Sequence, residues 1–317
     1  MTYTNEMDNI IKTLKQQGLT YTEIASVVNK QFGMSKSSEA IRKRYYRIRS
    51  RPDHVFVDET PEYIAEDVIS VEDDVFVLGV ISDTHLGSKY HAEEELKDFY
   101  EFMRDHKVQH VLHAGDVLEG DGWLFRGQLY DILSIGIDNI LDYVVENYPT
   151  YEGLVQHVIS GQHDEIFTKR YGYNILNQVS LRRDDIIYYG SFMTYLTLQH
   201  KNQEIHIVLQ HGSNSLTTAH SYRLQKYVDV SKSMFADGFD MLILGHYHSM
   251  AILPEYKRVI SIMPGCFQHQ TKLFAEKGLV PVIGGLILKI HFTDNGWHVE
   301  YITRTYPVKT VYMIERG

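Results

Sequence analysis

VFVLGVISDTH, residues 75–85, is an apolar run of strand length that stops on an aspartate and a histidine. A run this short, rich in Val and Ile and without polar alternation, reads as a strand buried on both faces. Four more runs end the same way: HVLHAG on Asp116, VQHVISG on Gln162, His163 and Asp164, IHIVLQ on His211, and MLILG on His246 and His248. Amphipathic stretches of helix length separate them, which predicts an α/β domain from residue 75 onward. In such sheets, sites gather outside the carboxyl ends of the strands, so residues more than 160 positions apart can converge. One aspartate or histidine after a strand is ordinarily a turn residue or a helix cap. Five in succession argue for a site.

Composition bounds the remaining choices. A chain of 317 residues can hold one large domain and a small one. Its 17 His and 41 Asp+Glu supply ample metal ligands, while the single Cys266 allows neither an internal disulfide nor a cysteine-based zinc site. No apolar stretch approaches the roughly 20 residues of a membrane span, and MTYTNEMDNI lacks a leader pattern, so a cytoplasmic protein with no membrane partner is expected.

Charge divides the chain. Residues 1–52 carry 10 Lys+Arg against 4 Asp+Glu, and the remainder carries 21 against 37. The sequence predicts a small domain over 1–50, an acidic linker over 51–74 and a large domain over 75–317. Strands within VFV and YIAEDVI are the alternative reading of the linker. In the first domain, Met7, Ile10, Ile11 and Leu14 share a helical face that Gly18 would stop. Thr20 and Glu23 form a capping box for a second helix lined by Ile24, Val28 and Phe32 and ended by Gly33. A third helix in SKSSEAIRKRYYRIRS turns Ile41, Tyr45 and Ile48 inward and Arg42, Lys43, Tyr46 and Arg47 outward. Three short helices with a basic last one resemble helix-turn-helix DNA-binding modules, including the Myb-like and resolvase-like versions, which implies DNA as a partner. A protein or RNA partner, or a merely solvated basic face, would leave the same pattern.

The strand-end motifs are more specific. DTH at 83–85, GDVLEG at 115–120, GQHD at 161–164, QHG at 210–212 and GHYH at 245–248 resemble the five ordered signatures of the calcineurin-like metallophosphoesterase superfamily. The resemblance implies a four-layer α-β-β-α sandwich with two divalent cations in the strand-end cleft. By matching position, Asp83, His85 and His248 would hold the first cation, Asp116 would bridge both, and Gln162, His211 and His246 would hold the second. His163 would stay unligated as general acid, with Asp164 orienting its ring or raising its pKa. Mixed imidazole and carboxylate ligands suit Mn²⁺, Fe, Zn or Ni; Mn²⁺ is expected because nuclease-like members use it. Hydrolysis of a phosphate ester needs a nucleophile at neutral pH, shielding of the phosphoryl oxygens and a proton for the leaving alkoxide.

The superfamily usually has asparagine where this chain has Gln162, one methylene longer. Either Gln162 still ligates after a local adjustment, or it withdraws and water takes its place. Trp123, Phe125 and Arg126 follow bridging Asp116 closely enough to stack on bases or grip phosphate, or they are packing. SYRLQKYVD at 221–229, with Arg223 and Lys226, and PGCFQHQT at 264–271 are similar to stretches of bacteriophage and prophage members. The expected function is a DNA nuclease guided by the N-terminal module. A phosphatase of a protein, nucleotide or small ester, and an inactive DNA-binding or replication-associated scaffold, are the alternatives. Self-association is left open.

Overall fold

The computed structural model describes residues 5–16, 19–48, 65–213, 219–235 and 238–314. The chain forms two compact units, residues 1–63 and 64–317.

The first unit is three helices: α1 (Asn5–Gln16), α2 (Tyr21–Phe32) and α3 (Ser38–Ile48). Ile11, Ile24, Val28 and Ile41 are fully buried between them, with Ile10, Leu14, Phe32 and Tyr45 packed around. Thr20 and Glu23 make the reciprocal capping box, and Gly33 closes α2 in the left-handed conformation at φ 61°. Ser37 Oγ accepts the Ala40 N–H at the start of α3. Arg44, which the sequence reading passed over, grips Asp8 of α1 through two bonds of 2.7 and 2.6 Å. Arg42 is half-exposed and paired with Glu39 of its own helix. Gly18 and the side chains of Lys43, Tyr46, Arg47 and Ile48 lie outside the described residues.

The second unit is built on two six-stranded sheets. Its strands are β1 (Ala65–Ser70), β2 (Val75–Ile81), β3 (His110–His113), β4 (Val155–Ser160), β5 (Ile186–Ser191), β6 (Met193–His200), β7 (Gln203–Gln210), β8 (Met241–Leu244), β9 (Met250–Tyr256), β10 (Val259–Pro264), β11 (Ile283–Thr293) and β12 (Gly296–Tyr306). One sheet runs β1-β6-β7-β8-β10-β9 and the other β12-β11-β2-β3-β4-β5. Helices α4 (Glu93–Asp105), α5 (Ile137–Asn147), α6 (Gln162–Tyr171) and α7 (Ile175–Ser180) follow strands of the second sheet; α8 (His220–Met234) follows β7 of the first, and short α9 (Lys272–Glu276) precedes β11.

Alternation along the strands divides the core into layers. Leu78 and Val80 of β2 meet Ile207, Leu209, Met241 and Ile243 between the sheets. Ile81, Val111 and Val158 turn the other way, toward Leu96, Phe99, Leu141 and Phe167 of the helices. On the outer face of the first sheet, Val208 and Leu242 pack with Val228 of α8. This is the expected four-layer α-β-β-α sandwich, and it explains why the central strands read as unbroken apolar runs: both of their faces are covered.

The linker assignment is corrected. Residues 65–70 form strand β1, paired in parallel with β6 from Ala65↔Thr194 to Ser70↔Gln199. Ile69 and Val71 are buried, while Glu66 is exposed and Asp67 accepts a hydrogen bond from the Tyr189 hydroxyl. Glu66 and Asp67, two of the acids that suggested a solvated connector, occupy the solvent side and edge of a strand. Residues 51–64 lie outside the described residues.

Helix α4 seats on the sheet where two strands carry glycine. A Cβ on Gly285 of β11 would lie 2.7 Å from the Phe99 ring and 3.0 Å from the Val80 carbonyl oxygen. Phe99 is fully buried, so the ring has nowhere to go. Gly285→Ala should therefore cost about 1–3 kcal/mol, the usual penalty for overpacking a filled core. Denaturant titration of the full chain checks this; unchanged stability would mean that α4 is not wedged there.

Candidate metal centre

Register places the site residues before any side-chain chemistry is considered. In the second sheet β2, β3 and β4 are parallel neighbours, with Ile81, His113 and Val158 level at their carboxyl ends. Asp83, Asp116 and Gln162 stand just beyond that line. In the first sheet Gln210 pairs with Leu244, and His211 and His246 follow at once. The two sheets thus deliver their strand ends to one edge of the sandwich.

Turning the side chains back into that edge requires an unusual backbone. Among the described residues, ten that are not glycine have positive φ, and five of them are Asp83 (52°), His85 (48°), Asp116 (53°), His246 (84°) and His248 (50°). The other five lie in connections between elements. Asp and His tolerate this region better than most residues, yet each such position still costs of order 1–3 kcal/mol. Strain gathered at the five positions singled out by the sequence marks them as a built constellation. Gly161 serves the same end, because a Cβ there would lie 2.2 Å from Asp116 Oδ1.

Three trios result, each with donor atoms mutually within 4.8 Å: Asp83, His85 and His248; Asp116, His211 and His246; and His85, Asp116 and His163. The third joins the other two, so Asp116 stands within reach of both. Asp83 Oδ2 accepts from the Ser82 hydroxyl and the His246 N–H, at 2.5 and 2.8 Å. Its Oδ1 has no hydrogen-bond partner and faces His248 Nε2 at 3.3 Å and His85 Nε2 at 3.9 Å. His211 bonds the Ala114 carbonyl oxygen through Nδ1 at 2.7 Å, leaving Nε2, also without a hydrogen bond, 3.2 Å from Asp116 Oδ2. Buried polar atoms are normally satisfied. Orphans on a carboxylate and an imidazole that point at further imidazoles and carboxylates fit cations held between them.

Electrostatics agree with this fit. Burial pushes the Asp83 and Asp116 carboxyls up, but His248 beside the one and His211 beside the other outweigh it and hold both below the usual range. Burial likewise disfavours charge on His163, and the carboxylates of Asp116 and Glu119 reverse the effect, raising its pKa above the ordinary value. His163 does not belong to either outer trio. Its N–H donates to Asp116 Oδ1 at 2.8 Å from the first turn of α6, and its Nδ1 donates to the Glu119 carbonyl oxygen at 2.6 Å, so Nε2 is the ring atom left for chemistry.

Of its two expected tasks, Asp164 performs one: its charge helps to raise the His163 pKa, behind Asp116 and Glu119, but it does not orient the ring. Its carboxylate accepts from the N–H groups of Gly161, Leu118 and Val117 at 2.8, 3.1 and 3.2 Å, clamping the loop after β3 to the start of α6. It is not a hydrogen-bond partner of the His163 ring. The ring is oriented by the Glu119 backbone, and burial together with the neighbouring Asp116 charge raises the Asp164 pKa to about 7.

Glu119 is the residue that sequence reasoning missed, although it lies inside the quoted GDVLEG. It is buried, with Oε2 3.0 Å from His85 Nδ1, off the line of a straight hydrogen bond, and it accepts from Gln268 Nε2 at 2.6 Å and Gln128 Nε2 at 3.0 Å. Burial alone would raise its pKa; His85 and His163 lower it to about 2, so it is a carboxylate at neutral pH. The only hint was a second acid three residues after Asp116. Gln268 comes from the PGCFQHQT stretch, to which the sequence assigned no chemistry.

Gln162 opens α6, half-buried, on the wall of a cavity of about 400 Å³ that also takes in Asp116, His163 and His246. Phe125 lines this cavity, while Trp123 and Arg126 are exposed. Arg223 is buried over the Tyr247 ring at 5.3 Å and is part of the packing.

Residues 76–277 match the Calcineurin-like phosphoesterase superfamily domain. The chain belongs to that superfamily. Phosphoesterases of this kind are metal-dependent hydrolases built on dinuclear centres, and the two outer trios with Asp116 between them have the composition for one. Solved structures similar to the chain include a single mutant of Vps29 from Entamoeba histolytica (16% identity, 72% of this chain and 99% of that one, TM-score 0.39). A predicted phosphoesterase of Streptococcus pneumoniae (16%, 74% and 94%, 0.35) and a hypothetical protein of Pyrococcus horikoshii (13%, 76% and 91%, 0.40) are also similar. At these identities and scores none of them bears on substrate. No curated protein matches the chain at a significant level. No helix among the described residues is long and apolar enough to cross a membrane.

The Glu119 contact yields a direct expectation. Outer partners of metal-binding histidines typically contribute 10–100-fold to affinity. Glu119→Ala should weaken Mn²⁺ binding by about that factor, read by metal titration of the full chain, with Glu119→Gln less affected because it still fills the space between Gln128 and Gln268. Equal affinity in wild type and Glu119→Ala would exclude this support.

Proposed function

We propose that the protein is a dinuclear-metal phosphodiesterase that hydrolyses DNA, brought to its substrate by the three-helix unit. The observation that carries the hydrolytic part is Asp116, which stands within ligand distance of members of both outer trios while its other oxygen fixes the backbone of His163. Asp83, His85 and His248 would hold one cation, and His211, His246 and the Gln162 carbonyl the other, with Asp116 placed to serve both. When bound, two such cations acidify a water for attack and shield the phosphoryl oxygens. Mn²⁺ suits the mixed imidazole and carboxylate set, as do Fe, Zn and Ni.

The chain's own residues supply the rest. Burial disfavours the charged form of His163, and Asp116 and Glu119 outweigh it, so the fold favours the protonated ring more than water does. With Nδ1 committed to the Glu119 carbonyl oxygen, Nε2–H is the donor for the departing alkoxide. Gln128 and Gln268 hold Glu119 beside His85, and Asp164 holds the loop that carries Asp116.

What supports DNA as the substrate is the basic excess of residues 1–52 on a three-helix unit, set against a strongly acidic remainder. A domain with that charge does not attract polyanions broadly, so a separate basic unit has a purpose. Arg42, Lys43, Tyr46 and Arg47 of α3 are the residues assigned to phosphate and base contacts.

Rates on bis-p-nitrophenyl phosphate, p-nitrophenyl phosphate and single- and double-stranded DNA with Mn²⁺ test the reading. Diester and DNA cleavage are expected to exceed monoester cleavage; monoester hydrolysis alone would make it a phosphatase, and no hydrolysis a scaffold. His163→Ala should lose about 10²- to 10⁴-fold on DNA, where the leaving alkoxide needs a proton, and much less on the nitrophenyl diester. Equal losses on both would remove His163 from the general-acid role.

A further inference from the structure

The cavity beside the metal-ligating side chains has a second kind of wall. Its roughly 400 Å³ lies at the small end of the ~300–1,000 Å³ of sites that enclose organic ligands. Besides the ligand set, it is lined by Leu124 and Phe125, from the loop after Asp116, and by Leu273, Phe274 and Leu279, from α9 and the turn after it, with Lys277 among them. Leu124, Phe125, Leu273, Phe274 and Leu279 are all half-buried, leaving apolar surface that faces the cavity. The Phe274 ring stands 4.8 Å from the His248 ring, and Thr271 Oγ caps α9 by accepting the Phe274 N–H, so this wall is fixed against the metal centre. A bare phosphate gains nothing from such a surface. A flat, largely apolar group attached to the phosphate does.

A second observation lies on the same loop. Trp123 is 59% exposed and Tyr130 83% exposed, with Arg126 exposed between them. The backbone under the indole is pinned. Asp121 accepts from the Trp123 N–H at 2.9 Å, from Arg170 at 3.1 Å and from the Tyr171 hydroxyl at 2.9 Å, and Arg170 also donates to the Trp123 carbonyl. Large aromatic rings held out to solvent beside an arginine form the platform on which unpaired bases stack.

We infer that the site selects an unpaired nucleobase next to the scissile phosphate: one base enters the pocket of Phe125, Leu273 and Phe274, and the following bases stack on Trp123 and Tyr130. The inference rests on the phosphodiesterase reading and narrows it to single strands and frayed ends. The cavity has room for one nucleoside, and a base within a duplex would have to leave its stack to enter, at a cost of a few kcal/mol.

Binding to the full-length Mn²⁺-loaded protein tests this apart from turnover. Thymidine 5′-monophosphate, methyl phosphate and phenyl phosphate are titrated calorimetrically into wild type, Phe125→Ala and Phe125→Trp. Base–aromatic stacking is worth about 1–3 kcal/mol, or 5–150-fold. The nucleotide should bind wild type tighter than either other ester by a factor in that range; Phe125→Ala should erase the preference without changing methyl phosphate affinity, and Phe125→Trp should keep it. Trp123→Ala should raise KM on a single-stranded oligonucleotide and leave thymidine p-nitrophenyl phosphate unaffected. Equal binding of all three esters, or of phenyl phosphate and the nucleotide, overturns base selection, as does a Phe125→Ala loss shared by methyl phosphate. If the nucleotide preference holds and no diester is cleaved, the base pocket stands and the proposed reaction falls.

Discussion

Asp116 is held from two directions at once, and the arrangement of the cleft follows from that. One oxygen accepts the His163 N–H at the start of α6; the other faces His211 Nε2 at 3.2 Å. The first contact ties it to the sheet that carries β2, β3 and β4, and the second to the sheet that carries β7 and β8. A carboxylate this buried persists as an anion only with compensating charge close by. His211, His163 and His85 supply that charge. Gly161 must lack a side chain because the loop under Asp116 passes within contact distance of it.

Seen this way, the four layers are the means of fixing two sets of strand ends against each other. The packing between the sheets is entirely apolar at Leu78, Val80, Ile207, Leu209, Met241 and Ile243, and it sets the separation across which Asp116 and His211 meet. Asp164 then locks the loop on which Asp116 sits by taking three backbone donors, a structural duty that leaves the orientation of His163 to the Glu119 carbonyl. The division is physically sensible: with three backbone N–H groups converging on it, the Asp164 carboxylate makes no hydrogen bond to the His163 ring.

Much of this was legible in the sequence because it is local. An apolar run followed by an aspartate or histidine shows both the strand and the residue at its end, and the five runs that were read this way are β2, β3, β4, β7 and β8. The capping box of α2 and the glycine that ends it are equally local signals. What could not be read depends on contacts between distant segments. Glu119 gains its importance from His85, Gln128 and Gln268, the last 149 positions away. Asp164 sits beside His163 in the chain, and its charge does act on the ring as adjacency suggested, but its hydrogen bonds go to three backbone N–H groups that the sequence did not reveal. Strand β1 was hidden by its acids, since an edge strand with one wet side and a short length resembles a connector until its partner β6 is known. The pocket wall of Leu273 and Phe274 gave no signal, because a five-residue helix bearing two large apolar side chains is unremarkable until it lands beside His248.

As proposed, Asp116 joins two cation sites across the sheet ends. Anomalous diffraction at the manganese edge from crystals of the full chain grown with Mn²⁺ tests it most directly. Two peaks about 3.5–4 Å apart are expected, with Asp116 bonded to both, Asp83 and His248 beside one and His211 and His246 beside the other. A single peak, or two that share no ligand, would contradict it.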